Sequence, residues 1–258
     1  MEQDFEGKIY IGTIALERNR WGGGRVPTYL VSEWLGRFSQ AGFDGMELWE
    51  NHAALRDEPE LAALAAGPVP VSVFNSYTGF DDDAAETRAR AAELATRFDA
   101  AGVKFNLGHE PHRRDAYVRN AVAWAERMPA HTRMLCECHG GTIMEDPDVA
   151  REVYAEWPGP RWQAIVHPFG GHPVEELHRW FETLGSDIIT HAHVAIAGEG
   201  EERREYLKQG MEVLRKHSYR GSYTIEFTLG TGAPDEEIEA MFTNALADLA
   251  LLRKELCQ

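Results

Sequence analysis

Two glutamates and two histidines in this 258-residue chain stand where short apolar runs end. Glu137 closes Arg-Met-Leu-Cys-Glu and His167 closes Ala-Ile-Val-His. His193 closes Ile-Ile-Thr-His-Ala-His, and Glu226 closes Tyr-Thr-Ile-Glu. A buried strand that ends in a polar residue delivers that residue to an opening, and Gly140-Gly141 after His139 lets the backbone turn away. Two carboxylates and two imidazoles converging from four strand ends suit a divalent cation. Mixed oxygen and nitrogen ligation fits Mn²⁺, Co²⁺, Zn²⁺ or Fe²⁺ and is less natural for Mg²⁺ or Ca²⁺, which prefer oxygen shells.

Side-chain alternation tests whether these groups share an interior face. Glu137 falls with Leu135, leaving Cys136 and Cys138 on the opposite side, where they read as small buried residues between strand and helix. His167 falls with Ile165, and Glu226 with Thr224 and Ser222, residues small enough for a narrow interior. His191 shares the face of His193, so one of the pair reads as a packed, hydrogen-bonded histidine and His193 as the ligand.

Positioning these groups requires a repeating scaffold. The sequence predicts strands at Lys8–Leu16, Gly45–Trp49, Val69–Phe74, Val103–Leu107, Arg133–Glu137, Trp162–His167, Asp187–His193 and Ser222–Phe227. Helical periodicity fills the intervals at Tyr29–Ala41, Glu58–Ala66, Asp82–Ala101, Asp115–Met128, Pro147–Trp157, Pro173–Leu184, Glu202–Lys216 and Asp235–Leu256. Gly42, Gly102 and Gly221 each precede a strand and suit left-handed helix caps, while Pro147 and Pro173 suit first-turn positions. Eight βα units over this length predict an α/β fold, a single (β/α)8 TIM barrel spanning residues 1–258, with its site at the C-terminal strand ends. A doubly wound open sheet is the alternative. The first βα turn lacks a Gly-x-Gly-x-x-Gly fingerprint, Gly22-Gly23-Gly24 comes too late for one, and no phosphate loop is present.

Composition narrows the partners. Hydrophobic residues make up 43% and charged residues 26%, enough apolar material for a sizeable core, and the formal net charge is −16. That balance argues against a nucleic acid partner, which calls for a basic face. No apolar run reaches the ~20 residues that span a bilayer, so no membrane partner is expected. An acidic, polar start unlike a secretory signal, with only three cysteines, favours a cytoplasmic protein without a disulfide framework.

The strand-end motifs resemble those of the xylose isomerase-like TIM barrel superfamily, in particular its sugar phosphate isomerase/epimerase branch, which includes ketose 3-epimerases. The family's strand-five Glu-Asn-His is matched by Glu137-Cys138-His139, and its strand-eight Ile-Glu by Ile225-Glu226 after Ser218-Tyr219-Arg220-Gly221. His193 matches the strand-seven histidine without the Lys-Asp that usually follows. Strand six departs furthest, with His167-Pro168 where the family places a metal-binding Asp. The resemblance implies one divalent metal ion held by Glu137, His167, His193 and Glu226. His167 leaves the shell one negative charge short and tilts preference toward Zn²⁺, Mn²⁺ or Co²⁺ over Mg²⁺. It further implies that Glu137 and Glu226 trade a proton with a carbohydrate-like substrate through an enediolate, as an isomerase or epimerase does.

Other polar strand ends are candidate substrate contacts. Glu47, near Trp49, either binds a polyol or pairs with Arg18, and Asn75 and Asn106 either bind hydroxyls or cap loops. His139 and His172 either orient substrate or a ligand, or lie in exposed loops. His109 and His112, with Arg113 and Arg114, read as a solvated loop or as a phosphate contact, while Trp21 and Phe80 are candidate pocket walls. Three further functions fit less closely. A lyase or dehydratase on the same scaffold needs the same metal and proton abstraction. An abasic-site endonuclease would need more ligands and a basic groove, and a barrel without metal would serve only as a binding partner. The substrate and any homo-oligomer are left open by the sequence.

Overall fold

The computed structural model describes residues 6–233 and 236–257. Residues 1–5, part of the acidic N-terminal start, and Asp235, expected to open the last helix, lie outside the described residues. Eight parallel strands close into a barrel in chain order. They are β1 (Ile9–Gly12), β2 (Gly45–Trp49), β3 (Val71–Asn75), β4 (Gly102–Phe105), β5 (Arg133–Glu137), β6 (Trp162–Val166), β7 (Ile189–Val194) and β8 (Ser222–Ile225). Closure is made by β1, which pairs with β2 through Tyr10↔Gly45 and with β8 through Tyr10↔Thr224. The open-sheet alternative is thereby excluded, and the architecture is a (β/α)8 TIM barrel.

The outer ring comprises α1 (Leu35–Ala41), α2 (Asn51–Ala54), α3 (Glu58–Ala66), α4 (Ala85–Arg97), α5 (Arg114–Ala125), α6 (Pro147–Glu156), α7 (Val174–Leu184), α8 (Gly200–Lys216) and α9 (Ile238–Leu256). No helix among the described residues is long and apolar enough to cross a membrane. The short α2 had no sequence signal. Two predicted elements break where a buried run changes conformation. The first strand stops at Gly12 and continues as a 3₁₀ turn over Thr13–Leu16, and the first helix begins as a 3₁₀ turn over Val31–Trp34. Ile14, Ala15 and Leu16 are fully buried either way, so hydrophobicity alone did not separate strand from turn.

Inside the barrel, Tyr10, Val73, Leu135 and Ile165 form a small apolar layer. Two residues on from each stand Gly12, Asn75 and Glu137, which end their strands, and His167, which directly follows β6, so the period of two carries the chain from plug to site. Outside the strands, the main core lies against the helices and includes Cys136 and Cys138, on the side that alternation assigned to them.

The glycine expectations divide. Gly42 adopts φ 82° and caps α1, its N–H reaching Phe38 and Ser39 carbonyls. After α4 and α8, however, Asp99 (φ 50°) and Ser218 (φ 54°) take the left-handed position. Gly221 is needed for a different reason: a Cβ there would overlap the carbonyl oxygen of Thr190, within the adjacent β7.

A buried carboxylate fastens the long loop after β1. Glu17 accepts bonds from Asn19 N and Thr28 N, both at 2.8 Å, from Thr28 Oγ1 at 2.7 Å, and from His52 Nε2 at 3.2 Å. Burial alone would raise its pKa, but the bonds from His52, Thr28 and Asn19 outweigh it and hold the carboxyl at about 2. Burial pushes His52 down, leaving a neutral ring that donates from Nε2 while Nδ1, 2.9 Å from Thr13 Oγ1, accepts its hydroxyl proton.

Two stability measurements follow from these assignments. Gly221→Ala should lose about 2–4 kcal/mol in urea unfolding, since overlap with a backbone carbonyl cannot be relieved by a side-chain rotation. Ser218→Gly should be neutral or stabilising by up to about 1 kcal/mol, and the reverse order would restore the cap reading of Gly221. A depressed folded-state pKa stabilises above the unfolded value and is lost below it. Glu17→Gln should therefore cost about 3 kcal/mol at pH 7, a difference that shrinks as pH falls from about 4.5 to about 2.

Candidate active site

The C-terminal strand ends open into a cavity of about 1040 Å³ whose wall includes Glu137, His167 and Glu226. Glu137 Oε1 lies 3.0 Å from His167 Nε2 and 3.1 Å from His193 Nδ1. Glu226 Oε2 lies 3.2 Å from His193 Nδ1 and 3.7 Å from His167 Nε2. These four residues can present one donor atom each within 4.8 Å of one another. A tetrahedron of ligands at the usual Zn–N and Zn–O distances has edges of about 3.3 Å, so the observed spacings fit a first-row divalent ion. The mixed donor set matches the same metals.

Beneath these donors sits a ring of buried polar groups. His193 Nε2 is 3.2 Å from Glu47 Oε2, Asn75 Nδ2 donates to Glu47 Oε1 at 2.7 Å, and His191 Nε2 is 3.4 Å from Glu47 Oε2. Glu47, His191 and His193 form a second, fully buried group close enough to share a cation. His191 is bonded on both ring nitrogens, Nδ1 to Ser222 Oγ at 2.8 Å and Nε2 to Thr224 Oγ1 at 2.9 Å, the packed role expected of one of the histidine pair. The position of Glu47 corrects the pairing with Arg18, which is exposed, while Glu47 faces the barrel axis. Neither Glu47 nor Asn75 is on the cavity wall, because both lie below its floor at 1% and 0% exposure. A carboxylate on the far nitrogen of a ligating histidine fixes the ring and its tautomer.

The interior cation escaped the sequence reading. Lys104 points inward between Val103 and Phe105, and its Nζ donates to Glu137 Oε2 at 2.8 Å and to Asn106 Oδ1 at 2.8 Å. Asn106 Nδ2 donates to the same Glu137 oxygen at 2.7 Å. The alternation that placed Glu137 would have placed Lys104, had the strand Val-Lys-Phe-Asn been read for its polar member.

The electrostatics follow from this crowding. Burial opposes ionisation of Glu137, but Lys104, His167 and His193 outweigh it and hold the carboxyl well below its usual range. Glu226 is likewise opposed by burial and held at about 2, chiefly by His193 and His167. Burial opposes protonation of His193, yet Glu226, Glu47 and Glu137 raise it well above an ordinary imidazole, and His167 is raised by Glu137 and Glu226. His191 goes the other way, pulled down to about 4 by burial.

His109, His139 and His172 are exposed and line the cavity, with the His139 ring 5.9 Å from that of His167. Trp21 lines it too, tilted on Phe227 with ring centroids 5.7 Å apart. Phe80 does not, because it is buried outside the barrel against Phe105 and Trp124. The phosphate reading of the His109–Arg114 loop loses its cations. Arg113 pairs with Asp81 and Glu110, and Arg114 with Glu156 and Asp115. Tyr77, Arg20 and Arg25, also on the wall, carried no motif that singled them out.

No protein-family model matches the sequence, and no curated protein matches it. Solved structures do. The probable 3-DHS dehydratase AsbF from Bacillus anthracis superposes with TM-score 0.63 at 17% identity, covering 92% of this chain and 98% of that one. D-Psicose 3-epimerase with D-tagatose, from Clostridium cellulolyticum, gives 0.65 at 12% identity over 96% and 99%. The IOLI protein with a binding zinc atom also gives 0.65 at 12% over 96% and 99%. At these identities the likeness is one of fold, and the fold is the one these xylose isomerase-like TIM barrel enzymes share.

Proposed function

We propose that the chain is a divalent-metal-dependent isomerase or epimerase of a sugar, polyol or related hydroxy-carbonyl compound. The observation that carries this reading is the meeting of Glu137, His167, His193 and Glu226 at ligand spacing, three of them on the wall of one cavity and His193 buried behind them. Those four residues would hold the ion, and Glu47 would orient His193. When bound, a divalent cation polarises a carbonyl and its neighbouring hydroxyl and so makes the adjacent carbon acidic.

The protein groups divide the remaining work unequally. Glu137 has one oxygen bound by Lys104 and Asn106, which fixes its carboxylate and keeps it ionised. Glu226 spends Oε2 on the two histidines and lines the cavity, which suits its other oxygen to take a proton from carbon. Epimerisation then needs a second acid–base group, and Glu137, delivered three strands away around the barrel, is the other carboxylate of the four-donor cluster. His139, His109 and His172, on the loops above, are placed to contact hydroxyls. The likeness to D-psicose 3-epimerase supports proton return. The likeness to a probable dehydratase supports a second reading, in which the same base acts and water is lost.

The test is elemental analysis of protein purified without chelator, beside Glu226→Gln. About one transition-metal ion per chain, sharply reduced in the variant, is the result expected of a four-donor site. Solvent deuterium should then enter a turned-over ketose at carbon, and a product lighter by one water would favour the dehydratase. Absence of metal from wild-type protein even after soaking in Mn²⁺ and Zn²⁺ would sink both readings and leave a binding role.

His167→Asp offers an independent check on the ligand assignment. Exchanging imidazole for carboxylate should move selectivity toward Mn²⁺ over Zn²⁺ by about tenfold or more in competition titrations. Unchanged selectivity would remove His167 from the donor set.

A further inference from the structure

We propose that Arg25 and Tyr77 form an anion-recognition subsite at the cavity mouth, taking a carboxylate or phosphate group of the substrate. The inference deepens the reading of the cavity as a site for hydroxy-carbonyl compounds and rests on it.

Three strongly basic side chains line the cavity. Arg20 is buried and committed to Glu236 through both terminal nitrogens, with Nη1 at 2.9 Å from Oε2. Lys104 is committed to Glu137. Arg25 is half-buried, and among the described residues no carboxylate lies within ion-pair distance of it. Its guanidinium rests instead on the Tyr77 ring, Cζ 4.8 Å from the centroid, while Lys104 Nζ lies 4.5 Å from that centroid. A planar guanidinium braced on an aromatic ring keeps its donor edge free for bidentate recognition of an oxyanion.

The backbone beneath Arg25 is held in an unfavourable conformation. Its φ is 47°, a left-handed value that costs a non-glycine residue about 1–2 kcal/mol, although Gly22, Gly23 and Gly24 stand immediately before it. Hydrogen bonds enforce that shape. Arg25 N donates to Gly22 O at 3.1 Å, Asn51 Nδ2 donates to Arg25 O at 2.9 Å, and Asn19 Nδ2 donates to Val26 O at 2.8 Å. Glu17 clamps the loop from Asn19 to Thr28. Strain maintained this way concentrates where a side chain must be aimed. Tyr77 is fixed too, its N–H donating to Glu50 Oε2 at 2.7 Å, and the residue is 39% exposed.

The direction of the arrangement gives the substrate class. Arg25, Tyr77, Lys104 and Glu137 are successive neighbours, leading from the mouth to the four-donor floor. A small sugar acid or sugar phosphate could place its anion on Arg25 and its carbonyl end at the floor. The chain as a whole carries −16, which disfavours anions at long range, so an unneutralised arginine at this spot marks a specific contact.

Titration calorimetry with D-fructose, D-fructuronate and D-fructose 6-phosphate tests this on one carbon skeleton, and the two anions separate a carboxylate ligand from a phosphate. At least one should bind wild-type protein about tenfold tighter than D-fructose, the size of a charge-assisted hydrogen bond. In Arg25→Gln the ratio should fall to near one, and Arg25→Lys, which keeps the charge without the planar fork, should retain part of it. Anions binding no tighter than D-fructose, or a preference that survives Arg25→Gln, overturns the subsite. Anion preference in protein that takes up no metal would sustain Arg25 and sink the isomerase reading, whereas metal uptake without anion preference would do the reverse.

Discussion

The contact between Lys104 and Glu137 makes the rest of the site tenable. Three carboxylates, those of Glu47, Glu137 and Glu226, are almost wholly removed from water inside one barrel. Unpaired, each would meet a desolvation cost of several kcal/mol or would simply protonate. Lys104 supplies the permanent positive charge, Asn106 shares the same oxygen, and the imidazoles of His167 and His193 complete the balance when protonated. A divalent ion bound at the four donors would take over the compensation that those imidazole protons otherwise provide. His167 adds no further negative charge to the three buried carboxylates.

The barrel's legibility from sequence varied with the physics behind each signal. Apolar runs and their helical intervals located all eight strands, and β2 and β5 were found to the residue. Period-two alternation correctly put Leu135 and Ile165 inside and Cys136 outside. It served less well where packing, not polarity, decides. Phe80 belongs to an aromatic cluster behind β4 that includes Trp124, and no local pattern distinguishes that position from a pocket wall. Glu47 was recognised as a polar strand end, but its partners His191 and His193 are more than 140 residues away in sequence.

Lys104 and Arg25 show two further limits. A lysine within a short strand reads as an edge or surface residue unless the strand is known to close a barrel, where an inward side chain has no solvent to reach. Arg25 lies after three glycines, and glycine-rich sequence is read as freedom. Here the loop is instead cross-tied by Glu17, Asn19 and Asn51 into one backbone shape. Specificity in this architecture resides in such loops, while the strand ends carry chemistry that different substrates can share.

The placement of Trp21 has an optical consequence. The chain contains seven tryptophans, and six of them (Trp34, Trp49, Trp124, Trp157, Trp162 and Trp180) are buried. Trp21 alone is largely open to water, 61% exposed at the cavity lip, with the Arg20 guanidinium 5.1 Å from its ring and Arg25 four residues further along the same loop. The six enclosed indoles emit from an apolar interior, so the red edge of the protein's fluorescence, and its accessibility to aqueous quenchers, belong chiefly to this one residue. The molecule thus carries its own dye at the entrance, attached to the loop that a ligand must pass.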